Sequence, residues 1–376
     1  MSSFARIIKK NIVAVIALLL AAFSMLFVPP DKEYLHYFDW KTLVFLFSTM
    51  LIIAAFKNIR TFTIMAKSLI RRLSNTRGLV ASLVFITGIG SIFIANDMAL
   101  LTFLPLTLIV FKTCGKEKYT GLTIALQTVA ANLGGMIMPF GNPQSLYLYS
   151  YFDIPVAKFL ITMAPAFILS MISLAAISLF IKKEHAEIII DEPVRLDKKR
   201  VLIYSLFALI ALLAIFKVIH YLIAGAIVAG GFLVVDRKAY AKVDYGLMLT
   251  FSAFFVFSNN MARIETVRTA VTALTQKNVL LTGVLSCQLI SNVPTAIFLS
   301  NFTNDWDALL LAVNIGGVGT LVASLASLIS LREYIQEYPG KARKYILVYS
   351  VFNFAFLILL TGLAYLQLYF LPKVLF

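Results

Sequence analysis

The chain has 376 residues, of which 60% are apolar and only 14% charged, and its mean hydropathy is +0.90. Soluble domains are nearer half apolar and a quarter charged, so this composition excludes a soluble globular protein and predicts an all-α polytopic membrane protein. The net charge of +15 would point to nucleic acid in a soluble chain, but here it must first be tested as loop sidedness.

In chain order, the first charge-free window is Asn11–Pro30, preceded by Arg6, Lys9 and Lys10. A cleaved signal peptide is the competing reading. The run is long for such a segment and no small-residue cleavage site precedes Pro29-Pro30, which favours a retained helix. Further windows are Thr42–Phe56, Phe159–Ile181, Val201–Phe216, Val218–Val235, Tyr245–Ala262, Ala308–Leu331 and Tyr345–Pro372. Two apolar regions, Gly78–Phe111 and Asn278–Asn304, do not read as simple spans. The 34-residue charge-free run Tyr119–Phe152 is too long for one straight helix. About nine full spans and two re-entrant hairpins are expected; two ordinary spans with a polar kink, or a plain helical hairpin, are the competing reading, and the 27 residues of the second region favour re-entry.

With the N-terminus in the cytoplasm and each odd region returning to the side it left, six loops or ends face inward. They carry Arg6, Lys9, Lys10; Lys57, Arg60, Lys67, Arg71, Arg72, Arg77; Lys112, Lys116, Lys118; Lys182, Lys183, Arg195, Lys198, Lys199, Arg200; Arg237, Lys238, Lys242; and Arg332, Lys341, Arg343, Lys344. That is 25 of the 33 basic residues. The positive-inside rule accepts this threading, a multi-pass protein of the cytoplasmic (inner) membrane. The basic excess is therefore largely topology, and a nucleic-acid partner loses its support. Cys114 and Cys287 build no disulfide framework, and the three histidines never cluster, so zinc and haem lack ligands.

The chain also repeats itself. Asn132-Leu-Gly-Gly135 recurs as Asn314-Ile-Gly-Gly317, 182 residues later, and the same offset pairs Asn142 with Ser324, Ser145 with Ser327 and Leu146 with Leu328. Upstream, Asp39 opens one span and Asp244 another. Each is followed by an amphipathic stretch, an apolar double segment with a polar interruption, and the Asn-x-Gly-Gly run. The expected organisation is a first repeat over 1–181 (hairpin about 79–111, broken helix about 119–149), a loop and linking span over 182–217, and a second repeat over 218–376 (hairpin about 279–303, broken helix about 308–331). The threading gives the repeats opposite orientation. Inverted repeats with interrupted helices are the pattern of secondary transporters, whose substrate sits near the midplane.

Broken helices survive in hydrocarbon only where protein or a watery cavity surrounds them, and their free ends attract ions. The interruptions Asn96-Asp97 and Ser291-Asn292 therefore stand out, as does Gly141-Asn142-Pro143-Gln144-Ser145. Asp97 is the one acid flanked by long apolar runs, the usual mark of an ion or proton pathway; capping of the following helix is compatible with that role. For Gly134-Gly135 and Gly316-Gly317, close packing weighs at least as much as a site. No Lys or Arg lies in either hairpin or either broken helix. An anion would rest on helix termini, side-chain amides and a bound cation; cation or proton exchange alone is the other reading. A membrane enzyme lacks a nucleophile–base or metal constellation, and a channel fits paired hairpins less well.

These residues together resemble the ion transporter superfamily of divalent anion/sodium symporters, citrate transporters, arsenite permeases and one class of sodium/proton antiporters, with the citrate-transporter-like branch nearest. The resemblance covers roughly residues 35–370. It implies an elevator-type secondary transporter of a small anion, usually a homodimer, with sodium or protons as partners and no cofactor beyond bound sodium ions. It places one cation site at Asn96, Asp97, Gly141 and Asn142, another at Ser291, Asn292, Ala323 and Ser324, and substrate between them near Thr295, Pro143 and Thr320, while the residues themselves offer Asn142, Gln144 and Ser145 as neutral donors and acceptors to a ligand. The tips depart from the Ser-Asn-Thr of dicarboxylate symporters: threonine is absent from both and Asp97 is gained. That departure weighs against di- or tricarboxylates and keeps a sodium/proton antiporter or arsenite-type extruder as the alternative.

Overall fold

A computed structural model describes residues 12–187 and 196–370. Arg6, Lys9, Lys10, Arg195 and the ends of the first and last spans (residue 11 and residues 371–372) lie outside these. The described residues form seventeen α-helices and no strand, the fold of an all-α polytopic membrane protein. The first helix of the expected first repeat is α1 (Ile12–Ser24). The repeat continues with α2 (Trp40–Asn58), α3 (Thr61–Ile70), the pair α4 (Thr76–Ile94) and α5 (Asn96–Thr113), the pair α6 (Thr120–Gly135) and α7 (Pro143–Tyr151), and α8 (Val156–Leu179). Next come α9 (Lys198–Ile215) and α10 (Tyr221–Val235). After α10, which opens the expected second repeat, come α11 (Tyr245–Arg263), α12 (Glu265–Lys277), α13 (Val279–Ile290) and α14 (Asn292–Leu299), α15 (Trp306–Ile315) and α16 (Leu325–Glu337), and α17 (Ala342–Tyr369). By length and composition α2, α4, α5, α8 and α17 are long and apolar enough to cross a membrane, while α10, α13 and α15 are shorter apolar helices.

Matching residues start matching helices. Asp39 accepts from Thr42 N–H at the head of α2 with φ −78°, ψ 87°, and Asp244 accepts from Leu247 N–H at the head of α11 with φ −82°, ψ 80°. Asn75 accepts from Gly78 N–H at α4, and Asn278 from Leu281 N–H at α13. Each cap satisfies an otherwise orphaned N–H of a first turn. Helix α1 packs on α11 and α10 packs on α2, so the two halves of the chain lean on one another.

The repeats run in opposite directions. At one end of the molecule Asn58, closing α2, donates at 3.0 Å to Asp236, which ends α10 and leads through a 3-10 turn (Arg237–Lys242) to α11. At the same end Thr76 at the start of α4 donates to Lys182 O at 2.6 Å, and Lys112 at the end of α5 pairs with Glu337 at 2.7 Å. At the other end Lys41 of α2 pairs with Asp153 at 3.6 Å, and Arg263, closing α11, pairs with Asp31 at 2.7 Å. There Thr275 also donates to Phe302 O at 3.1 Å, tying the outer ends of the second hairpin together. Helix α2 thus begins where α11 finishes, and α4 and α13 start from opposite ends.

The segment after α8 straps the base of the first hairpin. Asn75 and His185 form an isolated β-bridge, and Glu184 accepts from Lys116 Nζ at 2.9 Å, Lys118 Nζ at 2.7 Å and Tyr119 OH at 2.9 Å. Those donors, Lys118 first, hold the Glu184 carboxyl down at about 2 from its usual 4.5. A buried cluster of its own, with Leu51, Tyr204, Val228 and Phe232, joins α2, α9 and α10 apart from the main core.

Candidate functional site

Two apolar helices cannot reverse on a regular backbone. The first hairpin turns at Ala95, with φ 60° and ψ 152°, and the second at Ser291, with φ 75° and ψ 158°. Both are non-glycine residues in a region that glycine favours, at a cost of about 1–3 kcal/mol each. The asparagine that follows each turn restarts the helix in the same way. Asn96 Oδ1 accepts from Asp97 N–H and Asn292 Oδ1 from Val293 N–H, both at 2.9 Å. The breaks fall where the sequence predicts them.

The predicted interruptions of the two long helices are equally real. Residues 136–142 separate α6 from α7, and residues 316–324 separate α15 from α16. Glycine is required at the first break. A Cβ on Gly134 would collide with the Gly88 carbonyl oxygen and one on Gly141 with that of Gly135, so Gly134 serves helix crossing and Gly141 folds the break back on itself. Helix α7 then restarts from Asn142 (φ −137°, ψ 142°) with Pro143 in its first turn, and α16 from Ser324 (φ −149°, ψ 153°). Proline fits that position because the N–H it lacks would have no helical partner.

The broken helices meet through two asparagines that sequence reasoning placed in a glycine motif but not in the site. Asn132 accepts from Asn96 Nδ2 at 2.9 Å and donates to Ser324 Oγ at 3.2 Å. Asn314 Oδ1 accepts from Asn142 Nδ2 at 3.2 Å, Gln144 Nε2 at 3.3 Å and Ser145 Oγ at 2.9 Å. Each asparagine therefore ends the first half of one broken helix and holds the second half of the other. The tip of the second hairpin joins through Asn292 N–H, which donates to Ala323 O at 2.9 Å, and Ser291 Oγ, which donates to the same oxygen at 3.3 Å.

The structure thus brings Asn96, Asn142, Gln144, Ser145, Ser291, Asn292, Ala323 and Ser324 into one connected cluster, with Gly141 and Pro143 flanking Asn142 in the same break. Asp97 is half-buried, with its carboxyl against Ala326 N–H in the first turn of α16. Thr295 and Thr320 are engaged elsewhere. Thr295 Oγ1 donates to Ser291 O of its own helix at 2.7 Å, and Thr320 Oγ1 donates to Gln288 O at 3.0 Å. Gln288 was missed: its amide donates to Gly316 O at 2.9 Å and accepts from Thr320 N–H at 2.8 Å, so it holds the second break open. Its signal was a lone amide within the apolar limb, one turn before Ser291.

Buried oxygens without a hydrogen-bond partner include Asp97 Oδ1 at the first hairpin tip, and Asn142 Oδ1 and Gln144 Oε1 at the head of α7. A buried acceptor without a donor is costly, and the cost falls if a cation coordinates it. Asn292 Nδ2 is the buried donor left without a partner, beside Gly317.

A citrate transporter family model matches residues 4–305. An uncharacterized transporter of Methanocaldococcus jannaschii is 30% identical over 307 residues, covering 80% of this chain and 82% of the relative. The inner membrane protein YbiR of Escherichia coli is also 30% identical, over 314 residues, 81% of this chain and 83% of its own. Among solved structures, the YdaH transporter of Alcanivorax borkumensis superposes with a TM-score of 0.55 at 15% identity, covering 94% of this chain and 96% of that one. At that identity the likeness is one of fold.

Proposed function

Because the chain belongs to the citrate transporter family, a family of membrane transporters rather than enzymes, we propose that it is a secondary active transporter of a small carboxylate or inorganic oxyanion, driven by sodium or protons. The observation that carries this reading is that Asp97 Oδ1 at the first hairpin tip, and Asn142 Oδ1 and Gln144 Oε1 at the head of α7, are buried without hydrogen-bond partners. A cation held by Asn96, Asp97, Gly141 and Asn142 neutralises Asp97 and adds the positive charge that residues 78–111, 119–149, 279–303 and 308–331 lack. A second cation site falls at Ser291, Asn292, Ala323 and Ser324. The anion then meets Asn292 Nδ2 and the first turn of α7 at Pro143, Gln144 and Ser145, while Thr295 and Thr320 shape the surround.

The separate cluster of α2, α9 and α10 supports an elevator motion, because a scaffold with its own core can stay still while hairpins and broken helices move. The re-entrant reading of the first hairpin rests on depth. Its tip meets Asn132, twelve residues into α6 and so ~18 Å from that helix's start, against a hydrocarbon thickness of ~30 Å. The basic end is the cytoplasmic one, which also puts the N-terminus inside, and the assembly is a homodimer.

The test is a proteoliposome screen of small anions under separate sodium and proton gradients. Anion uptake that follows either gradient supports the proposal. Asp97, an acid at the tip, favours the second reading, a sodium/proton antiporter or extruder. Cation-driven pH change with no anion present would select it.

A further inference from the structure

Away from the transport cluster, the basic end of the molecule holds a cavity of about 430 Å³ between the first turn of α6, the last turns of α16 and the first turns of α17. From Gly121 in its wall, Asn132 lies eleven residues further along α6, ~16 Å deeper. One side of the cavity is aromatic: the Tyr334 and Tyr345 rings stack at 4.6 Å, and Tyr338 adjoins Tyr334 at 5.0 Å. The rim is basic, with Lys118, Lys341 and Lys344 against the single acid Glu117. Lys118 already shares its charge with Glu184 and Lys341 lies over the Tyr338 ring at 5.2 Å, so Lys341 and Lys344 carry the excess. Helices α6 and α17 both begin here without a side-chain cap, which adds the positive ends of two helix dipoles.

The apolar surface continues downward from this basic mouth. Val348 lines the cavity, and Leu347 and Val351, on the same helix, are 67% and 58% exposed. An anionic head with an apolar tail matches that gradation, and basic pockets between membrane helices take phospholipid headgroups. We propose that this cavity binds an anionic membrane phospholipid, with Lys341 and Lys344 holding the phosphate, the tyrosines packing on the glycerol, and the acyl chains lying along Leu347 and Val351.

The test uses the full chain in neutral detergent, with native mass spectrometry and thermal unfolding as readouts. Phosphatidylglycerol, phosphatidylcholine with the same acyl chains, and inorganic phosphate are added separately. Phosphatidylglycerol is expected to be retained and to raise the unfolding temperature, while phosphatidylcholine does neither. Replacing Lys341→Gln and Lys344→Gln should lower retention by about fivefold per lysine, whereas Lys341→Arg with Lys344→Arg keeps it. Equal retention of both lipids, or unchanged retention in the glutamine pair, overturns the proposal. Stabilisation by inorganic phosphate that the glutamine pair loses, with no lipid preference, assigns the cavity to a free anion and rejects the lipid.

Discussion

Asn132 donates its side-chain amide to the hydroxyl of Ser324 at 3.2 Å, across 192 residues of sequence. Asn314 repays the contact by accepting from Asn142, which ties the two broken helices at their crossing. Asn314 alone accepts for three buried side chains. Asn314→Leu is expected to orphan the Gln144 and Ser145 donors, while Asn142 Nδ2 keeps Asn132 O at 3.0 Å, and to destabilise by about 1–3 kcal/mol for each one that finds no substitute. A thermal shift in detergent measures it, and an unfolding temperature equal to wild type would show that the crossing is not held there.

Asp97→Asn keeps the shape of the side chain and removes its charge. Transport in proteoliposomes is expected to stop or to lose its cation dependence, while yield, membrane insertion and unfolding temperature stay near wild type. Wild-type kinetics with unchanged cation dependence would remove Asp97 from the coupling role.

Two glycine substitutions separate packing from backbone freedom. In Gly134→Ala the new methyl would lie 2.8 Å from the Gly88 Cα and overlap its carbonyl, so α4 and α6 must part, at about 1–3 kcal/mol. Gly230 in α10 has nothing within 4 Å of such a methyl, and Gly230→Ala should stabilise by about 0.4–1 kcal/mol. Unfolding temperatures moving in opposite directions would bear this out, and equal shifts would refute it.

Opposite orientation of the repeats is open to labelling. With Cys114 and Cys287 replaced by serine, single cysteines at the exposed positions Glu117 and Asn304 should react with an impermeant maleimide from opposite sides of the membrane. Reaction of both from one side contradicts the inverted arrangement.

The strap at Glu184 has a defined pH signature. Its carboxyl is held at about 2 in the folded protein against a usual 4.5, because Lys118, Lys116 and Tyr119 favour the charged form. A depressed acid stabilises the fold above its unfolded value and loses that contribution as pH falls through the folded one. Glu184→Gln should therefore be less stable than wild type at neutral pH, with the gap closing between about 4.5 and 2. A gap that does not depend on pH would assign the loss to shape rather than charge.

Much of this fold was legible because hydrocarbon penalises polar backbone so heavily. Asn96-Asp97 and Ser291-Asn292 could be tolerated in apolar runs only at a break, and both breaks are there. The glycines and prolines of 132–144 likewise announced an interruption. Partner choice was not legible. Thr295 looked available to a ligand, yet a threonine in a helix readily bonds the carbonyl four residues back, and it does so here. Asn132 and Asn314 were read for their neighbouring glycines because a pairing across 192 residues leaves no local trace. Gln288 is visible as a lone amide in an apolar limb, but its partners Gly316 and Thr320, 28 and 32 residues away, are not.

The helix caps carry a further consequence. Asp39 and Asp244 adopt nearly the same backbone angles and cap helices that run in opposite directions. The apolar interior is accordingly about as well satisfied upside down as upright, and nothing in its packing says which face meets the cytoplasm. That decision is left to the lysines and arginines between the helices, so moving a few of them should produce a chain that inserts both ways, each copy with an intact core.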